Sequence, residues 1–369
     1  MTFDNRTSHV RGMKWNGLVL ASLFCVACGS KNANPGPGDH DLPKSSVHFI
    51  GRHDTSNPER VRADWSATSV YATFDGTGVS ARIDGADNYF EVFIDGARTS
   101  TVHFVPGPAD NTAKDLTLAS GLANGRHTVQ LVRRTEAFFN PSVFLGFTVN
   151  GGALVATTYP FQRRIEVIGD SITCGYGIEG ANAYCDFSGQ TENAADTYAA
   201  QTARNFNAAL SVVAFSGKGM HHNLNYDQNP TMPTLYGRSL FNDADSEWPF
   251  ASFLPDVVVI NLGTNDFANS QDPGSAFVGV YLDFIDRLEN LYPGVEIFCT
   301  AGGMINGVFV TRVKQVVDAR HAAGDMRVHY VEFPPLQESG AGCDYHPNVA
   351  TNTAMANILI EAISEETGW

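Results

Sequence analysis

The sequence predicts an α/β protein in two parts: an antiparallel β-sandwich of jelly-roll type, then a doubly wound domain around a parallel five-stranded sheet. Three observations lead there. Between Val47 and about Val155, short alternations of apolar and polar residues are cut by Asp-Gly and Asn-Gly turns. From about Arg163 the pattern changes to short, continuous apolar runs separated by helical stripes. The length of 369 residues suits two domains at about 150 residues each.

In the first part the strand-like runs are SVYATF (69–74), GVSARI (78–83), YFEVFI (89–94), RHTVQLV (126–132) and FLGFTV (144–149). Turn signals Asp75-Gly76, Asp84-Gly85, Asp95-Gly96 and Asn124-Gly125 separate them, and no amphipathic helix fits the stretch. Evenly spaced short strands of this kind build a sandwich or jelly roll. In the second part IEVI (165–168), LSVVAF (210–215), VVVINL (257–262), VEIFCT (295–300) and VHYVEF (328–333) read as strands buried on both faces. Phe277, Val280, Tyr281, Phe284, Leu288 and Leu291 fall on one helical face. Met355, Ile358, Leu359 and Ala362 do the same near the end of the chain. Strands alternating with helices predict functional side chains at the carboxyl ends of the strands.

Composition narrows the function. A formal net charge of −15 and only 17% charged residues exclude a protein that tracks nucleic-acid phosphates or anionic lipid. A 43% hydrophobic content with 24 Phe, 12 Tyr and 4 Trp is ample for two cores. Near the N-terminus, Arg11 and Lys14 precede the apolar run Gly17–Ala27, the layout of a secretory signal. The run ends at Cys28, and Ala27-Cys28-Gly29-Ser30 resembles a bacterial lipobox, with Cys28 the lipidation candidate. Simple cleavage and release is the alternative. The expectation is therefore an exported protein, either a cell-envelope lipoprotein or secreted, whose contact with a membrane runs through that anchor. Four regions follow: a signal peptide over 1–28, a flexible Asn/Pro/Gly tether over 29–43, the sandwich over 44–158 and the α/β domain over 159–369. Export favours disulfides among Cys174, Cys185, Cys299 and Cys343. The local pairing is Cys174 with Cys185, leaving Cys299 with Cys343; buried free thiols are the alternative.

Polar clusters follow the apolar runs one by one. Gly169-Asp170-Ser171-Ile172-Thr173 ends the first, Phe215-Ser216-Gly217-Lys218-Gly219 the second and Gly263-Thr264-Asn265-Asp266 the third, while Cys343-Asp344-Tyr345-His346-Pro347 comes after the fifth. A serine hydroxyl needs a base to become a nucleophile, and a histidine suits that task near neutral pH. The adjacent pair His221-His222 has no third ligand nearby and predicts no metal site; Asp170 and Asp266 are expected to brace loops.

In this order the clusters resemble the SGNH (GDSL-type) hydrolase superfamily. Together with Gly51-Arg52-His53-Asp54 and the run Gly169–Gly177, the chain is most similar to carbohydrate esterase family two, a jelly roll packed on an SGNH domain of flavodoxin-like topology. The resemblance implies Ser171 as nucleophile and His346 as base. It further implies Ser171, Gly217 and the Asn265 side chain as oxyanion donors, with no metal or organic cofactor. It implies removal of O-acetyl groups from polysaccharides such as xylan and glucomannan, with a leaning to the sugar 6-position. The superfamily often has aspartate three residues before the histidine, where this chain has Cys343. Asp344 sits two before it, so either the Asp344 carboxylate or a backbone carbonyl orients His346. Tyr226, Tyr236 and Trp248, in the connection between the second and third runs, are candidates for stacking on sugar or for core packing. Alternatives are an esterase acting on O-acetylated peptidoglycan or exopolysaccharide, another SGNH esterase or lipase, and a carbohydrate-binding lipoprotein without activity. In the first reading the sandwich is a wall of the cleft rather than a separate binding module.

Overall fold

The computed structural model describes residues 44–108, 112–227 and 229–369. The signal peptide, Cys28 and the tether fall outside the described residues.

The first part is a two-sheet antiparallel sandwich. Its strands are β1 (His48–Ile50), β2 (Val61–Ala63), β3 (Ser69–Gly76), β4 (Gly78–Gly85), β5 (Asn88–Ile94), β6 (Ala97–Phe104), β7 (Lys114–Ala119), β8 (Gly125–Arg133), β9 (Ser142–Asn150) and β10 (Ala153–Val155). One sheet runs β1-β3-β8-β5-β6, with β10 also on β3; the other runs β2-β9-β4-β7. Ala72, Phe74, Val79, Val92, Phe104, Val129 and Leu131 fill the space between them. Each predicted run lies inside a strand, because alternation puts one set of side chains on the inner face. The named runs leave out the three-residue strands β1, β2 and β10, and also β6 and β7. In β6, ARTSTVHF, only Phe104 is buried, so an edge strand leaves little apolar trace. Asp95 and Gly96, with φ of 51° and 80°, join β5 to β6 by the two-residue turn that needs positive φ at both positions.

The second part holds β11 (Arg163–Gly169), β12 (Ala208–Ala214), β13 (Val257–Asn261), β14 (Glu296–Gly302) and β15 (Val328–Phe333). All are parallel, in the order β12-β11-β13-β14-β15. The helices are α1 (Ser171–Cys174), α2 (Tyr198–Asn205), α3 (Met232–Leu235), α4 (Ser275–Leu291), α5 (Val308–Ala322) and α6 (Val349–Thr367). Helices α4 and α5 pack on one face of the sheet through Phe277, Tyr281, Leu288, Phe309 and Val313. Helices α2 and α6 cover the other through Tyr198, Ala199, Met355 and Leu359. Because β12 and β13 flank β11 on opposite sides, the connections diverge there and leave a crevice at the strands' carboxyl ends.

The disulfide differs from the predicted pairing. Cys185 bonds to Cys343, 158 residues away, with Cα atoms 4.6 Å apart. Cys174 and Cys299 are buried free thiols. Cys174 ends the buried helix α1 and Cys299 lies in the middle of β14, so both are held inside the core. Hydrogen bonds from Cys343 N to Gly177 O and from Asp344 N to Cys185 O bring the 342–346 loop against the segment after α1. That contact joins Cys185 to Cys343.

Candidate active site

Strand β11 delivers Ser171 to the crevice. Asp170 caps α1, its carboxylate accepting the Ile172 N–H at 3.1 Å, so the chain turns into a short helix at the strand end. A Cβ at Gly169 would lie 2.1 Å from Thr173 Oγ1, and only glycine permits so tight a turn. Ser171 Oγ lies 2.8 Å from Nε2 of His346. Across the ring, Nδ1 lies 3.0 Å from the carbonyl oxygen of Asp344. A carbonyl only accepts, so Nδ1 carries the proton and the Nε2 lone pair faces the serine hydroxyl. Burial pushes the imidazole down to about 4, against the smaller opposing effect of the Asp344 carbonyl. His346 is therefore neutral, and competent as a base, at neutral and mildly acidic pH.

A pH prediction follows from that direction. A base whose pKa is lowered stays deprotonated further into acid, so kcat/KM should hold from neutrality to well below the free-histidine value of 6.5 and fall only as pH approaches about 4. A pH profile on a small acetyl ester, restricted to pH values where the protein stays folded, checks it. An acid limb at 6.5 or above would contradict the burial argument.

The carboxylate of Asp344 does not join the dyad. It accepts the Tyr176 hydroxyl at 2.9 Å and the Phe187 N–H at 3.3 Å. Asp344 and Tyr345 have φ of 51° and 58°, a left-handed pair that turns the Asp344 carbonyl, not its side chain, to the imidazole. The triad reading of Asp344 is thus corrected to a carbonyl contact. Asp344→Asn should lower kcat less than tenfold, against about 10⁴ for an imidazole-orienting carboxylate. Steady-state kinetics on the same ester separate the two.

The oxyanion candidates converge from three strand ends. After β12, Gly217 adopts φ of 79°, a left-handed turn closed by Leu224 N–H to Gly217 O at 2.9 Å. Among the described residues, the N–H groups of Ser171 and Gly217 donate to no protein acceptor. Asn265, after β13, donates from Nδ2 to Lys218 O at 2.8 Å and to an Asp170 carboxyl oxygen at 3.4 Å. Burial pushes the Asp170 carboxyl up to about 7. Asp266 accepts the N–H groups of Met220, His221 and His222 and so braces the loop beyond Gly217.

Comparisons with known proteins agree with this arrangement. A family model described as "Carbohydrate esterase 2 N-terminal" matches residues 49–158, and one for the "GDSL-like Lipase/Acylhydrolase family" matches 167–354. A family two carbohydrate esterase from Clostridium thermocellum, solved with cellohexaose, is 37% identical with a TM-score of 0.83, over 88% of this chain and 99% of that one. The chain belongs to carbohydrate esterase family two. The cellulase/esterase CelE of Acetivibrio thermocellus is 38% identical over 90% of this chain, but the match spans only 40% of that larger protein. An acetylxylan esterase / glucomannan deacetylase of Cellvibrio japonicus is 27% identical over 95% of this chain and 96% of its own length.

In this family two chain the aromatic candidates separate. Tyr226 is 53% exposed and lies 4.2 Å from the His222 ring. Tyr236 and Trp248 are buried and not available to a sugar. Their rings pack around the Arg52 guanidinium, 4.5 and 5.4 Å from its carbon, and the Tyr236 hydroxyl bonds to Glu166. The sequence reading also passed over Tyr176 and Phe187. Tyr176 lies 4.3 Å from the His346 ring and stacks on Phe187 at 3.9 Å, flanking the dyad. Tyr176 stands inside the Gly169–Gly177 run, and that place beside the nucleophile was its one signal.

Proposed function

We propose that this chain is a serine esterase that removes O-acetyl groups from polysaccharides of the xylan and glucomannan type. The observation that carries the reading is the Ser171–His346 pair at 2.8 Å, with Nδ1 on a carbonyl and two unengaged backbone N–H groups beside the nucleophile. His346 takes the Ser171 proton as Oγ attacks the acetyl carbonyl. The N–H groups of Ser171 and Gly217 receive the oxyanion. Asn265 joins them by exchanging its 3.4 Å contact with Asp170 for the shorter bond to charge. His346 then protonates the departing sugar oxygen, and water, activated by the same imidazole, releases acetate from the acyl-enzyme. The names of the relatives, an acetylxylan esterase / glucomannan deacetylase among them, support the substrate class.

The test is acetate release by the purified chain, beginning near Asp39, from acetylated xylan, acetylated glucomannan and O-acetylated peptidoglycan, with Ser171→Ala as control. Release from the plant glycans that vanishes in the variant is expected. Release from peptidoglycan alone would keep the mechanism and reassign the substrate. No release together with no labelling by a fluorophosphonate would favour a binding protein instead. We also propose export with lipidation at Cys28, because the segment before it has the layout of a lipoprotein signal. Cys28→Ala in the full chain should then shift the protein from the membrane to the soluble fraction.

A further inference from the structure

We propose that Glu136, delivered by the sandwich, is the positioning residue that sets the oxyanion loop, so that the β-sandwich forms part of the esterase's working site. The proposal rests on the esterase reading above and adds a residue from outside the α/β domain to it.

After β8 the chain leaves the sandwich and runs along the second domain. The Arg134 guanidinium donates to the carbonyls of Gln190 and Glu192 and pairs with the carboxylates of Glu91 and Glu179. Ala194 N–H donates to Arg134 O, and Asn242 Nδ2 donates to Ala137 O. Between these anchors Glu136 is buried, and its two carboxyl oxygens meet one residue. Oε2 accepts the Ser216 N–H at 2.7 Å, while Oε1 takes the Ser216 hydroxyl at 2.6 Å. Ser216 precedes Gly217, and the peptide between them carries the Gly217 N–H. A group that holds both the main chain and the side chain of Ser216 therefore fixes where that donor points. The Glu136 carboxyl also faces Cys174, Sγ to Oε2 at 3.8 Å, at the end of the helix that begins with Ser171. One side chain thus touches both elements that supply backbone oxyanion donors.

The neighbouring Glu192 holds Glu136 in place, one of its oxygens accepting the Glu136 N–H at 3.2 Å. Burial raises the pKa of both carboxyls, while the hydrogen bonds from Ser216 and the charge of Arg133 pull that of Glu136 the other way. Glu136, Cys174 and Glu192 bring ligating atoms within 4.8 Å of one another. Both Glu136 oxygens are already engaged by Ser216, however, and the Arg133 guanidinium lies near enough to act on the same group. The cluster is accordingly read as a brace, not a metal site.

The experiment compares Glu136→Ala, Glu136→Gln and the parent, using 4-nitrophenyl acetate for kinetics and amide hydrogen exchange over residues 215–218. A donor misplaced by about 1 Å can cost about 10²-fold, so Glu136→Ala should lower kcat by about that factor with KM within about threefold. Exchange over 215–218 should accelerate. Glutamine can accept the Ser216 N–H and donate to its hydroxyl, so Glu136→Gln should recover most of the lost kcat and protection. A folded Glu136→Ala variant with kcat within threefold of the parent and unchanged exchange overturns the proposal. If that variant does not fold, Ser216→Ala decides: it removes one of the two bonds, and kcat and exchange both equal to the parent's overturn the brace. A parent that neither hydrolyses the ester nor reacts with a fluorophosphonate fails the esterase reading, while the exchange comparison still judges the brace on its own.

Discussion

Ser171→Ala is expected to lower kcat by about 10⁶, and His346→Ala by a similar factor. The double variant should be no slower than either alone. The reason lies in the 2.8 Å contact: the hydroxyl is a weak nucleophile without the imidazole, and the imidazole has no proton to take without the hydroxyl. Each single change removes the same event, so the losses do not multiply. What remains, about 10³–10⁴ over the uncatalysed reaction, belongs to the oxyanion donors and to binding, which neither substitution touches. KM should stay within a few-fold for the same reason. Kinetics on a soluble acetyl ester check this, with preparations from a host lacking background esterase. A Ser171→Ala variant that keeps more than about one hundredth of the parent rate would place the nucleophile elsewhere, because removing a nucleophile cannot be so mild.

How much of this site is legible in the sequence depends on what each residue does. Ser171, Gly217 and Asn265 follow apolar runs that could only be parallel strands, and such strands present their carboxyl ends to one crevice. The convergence of the clusters was therefore legible from periodicity, while the part each residue plays came from the resemblance to carbohydrate esterase family two. The partner of His346 was not. A residue two positions from the histidine offers both a carboxylate and a carbonyl, and the left-handed backbone at Asp344 and Tyr345 decides between them. Nothing in the letters Cys-Asp-Tyr-His encodes that turn. For Tyr236 and Trp248 the letters left sugar stacking and core packing both open, and an arginine from the other domain decides for the core by gathering them inward. The disulfide and Glu136 show the same limit. Both depend on contacts between segments far apart in sequence, and local spacing favours near neighbours such as Cys174 and Cys185 over the true pair.

That arginine supports the second large prediction, on stability. Arg52 and Glu166 form an ion pair at 3.4 Å with no solvent exposure on either side chain. Arg52 follows β1 of the sandwich and Glu166 lies in β11, in the interior of the parallel sheet, so the pair joins the two parts of the molecule. The guanidinium also donates to the carbonyls of Tyr236 and Arg238, and the Glu166 carboxylate accepts the hydroxyls of Ser211 and Tyr236. Arg52→Met leaves a buried carboxylate facing two hydroxyls and no cation. Breaking a buried pair on one side costs about 3–5 kcal/mol, more than an exposed pair could by several-fold. Urea unfolding should show the loss as a lower midpoint at pH 7. Arg82→Met, which breaks the exposed pair with Asp115, serves as the control and should cost under about 1 kcal/mol. Equal costs for the two variants would show that the Arg52 pair does not hold the sandwich to the sheet.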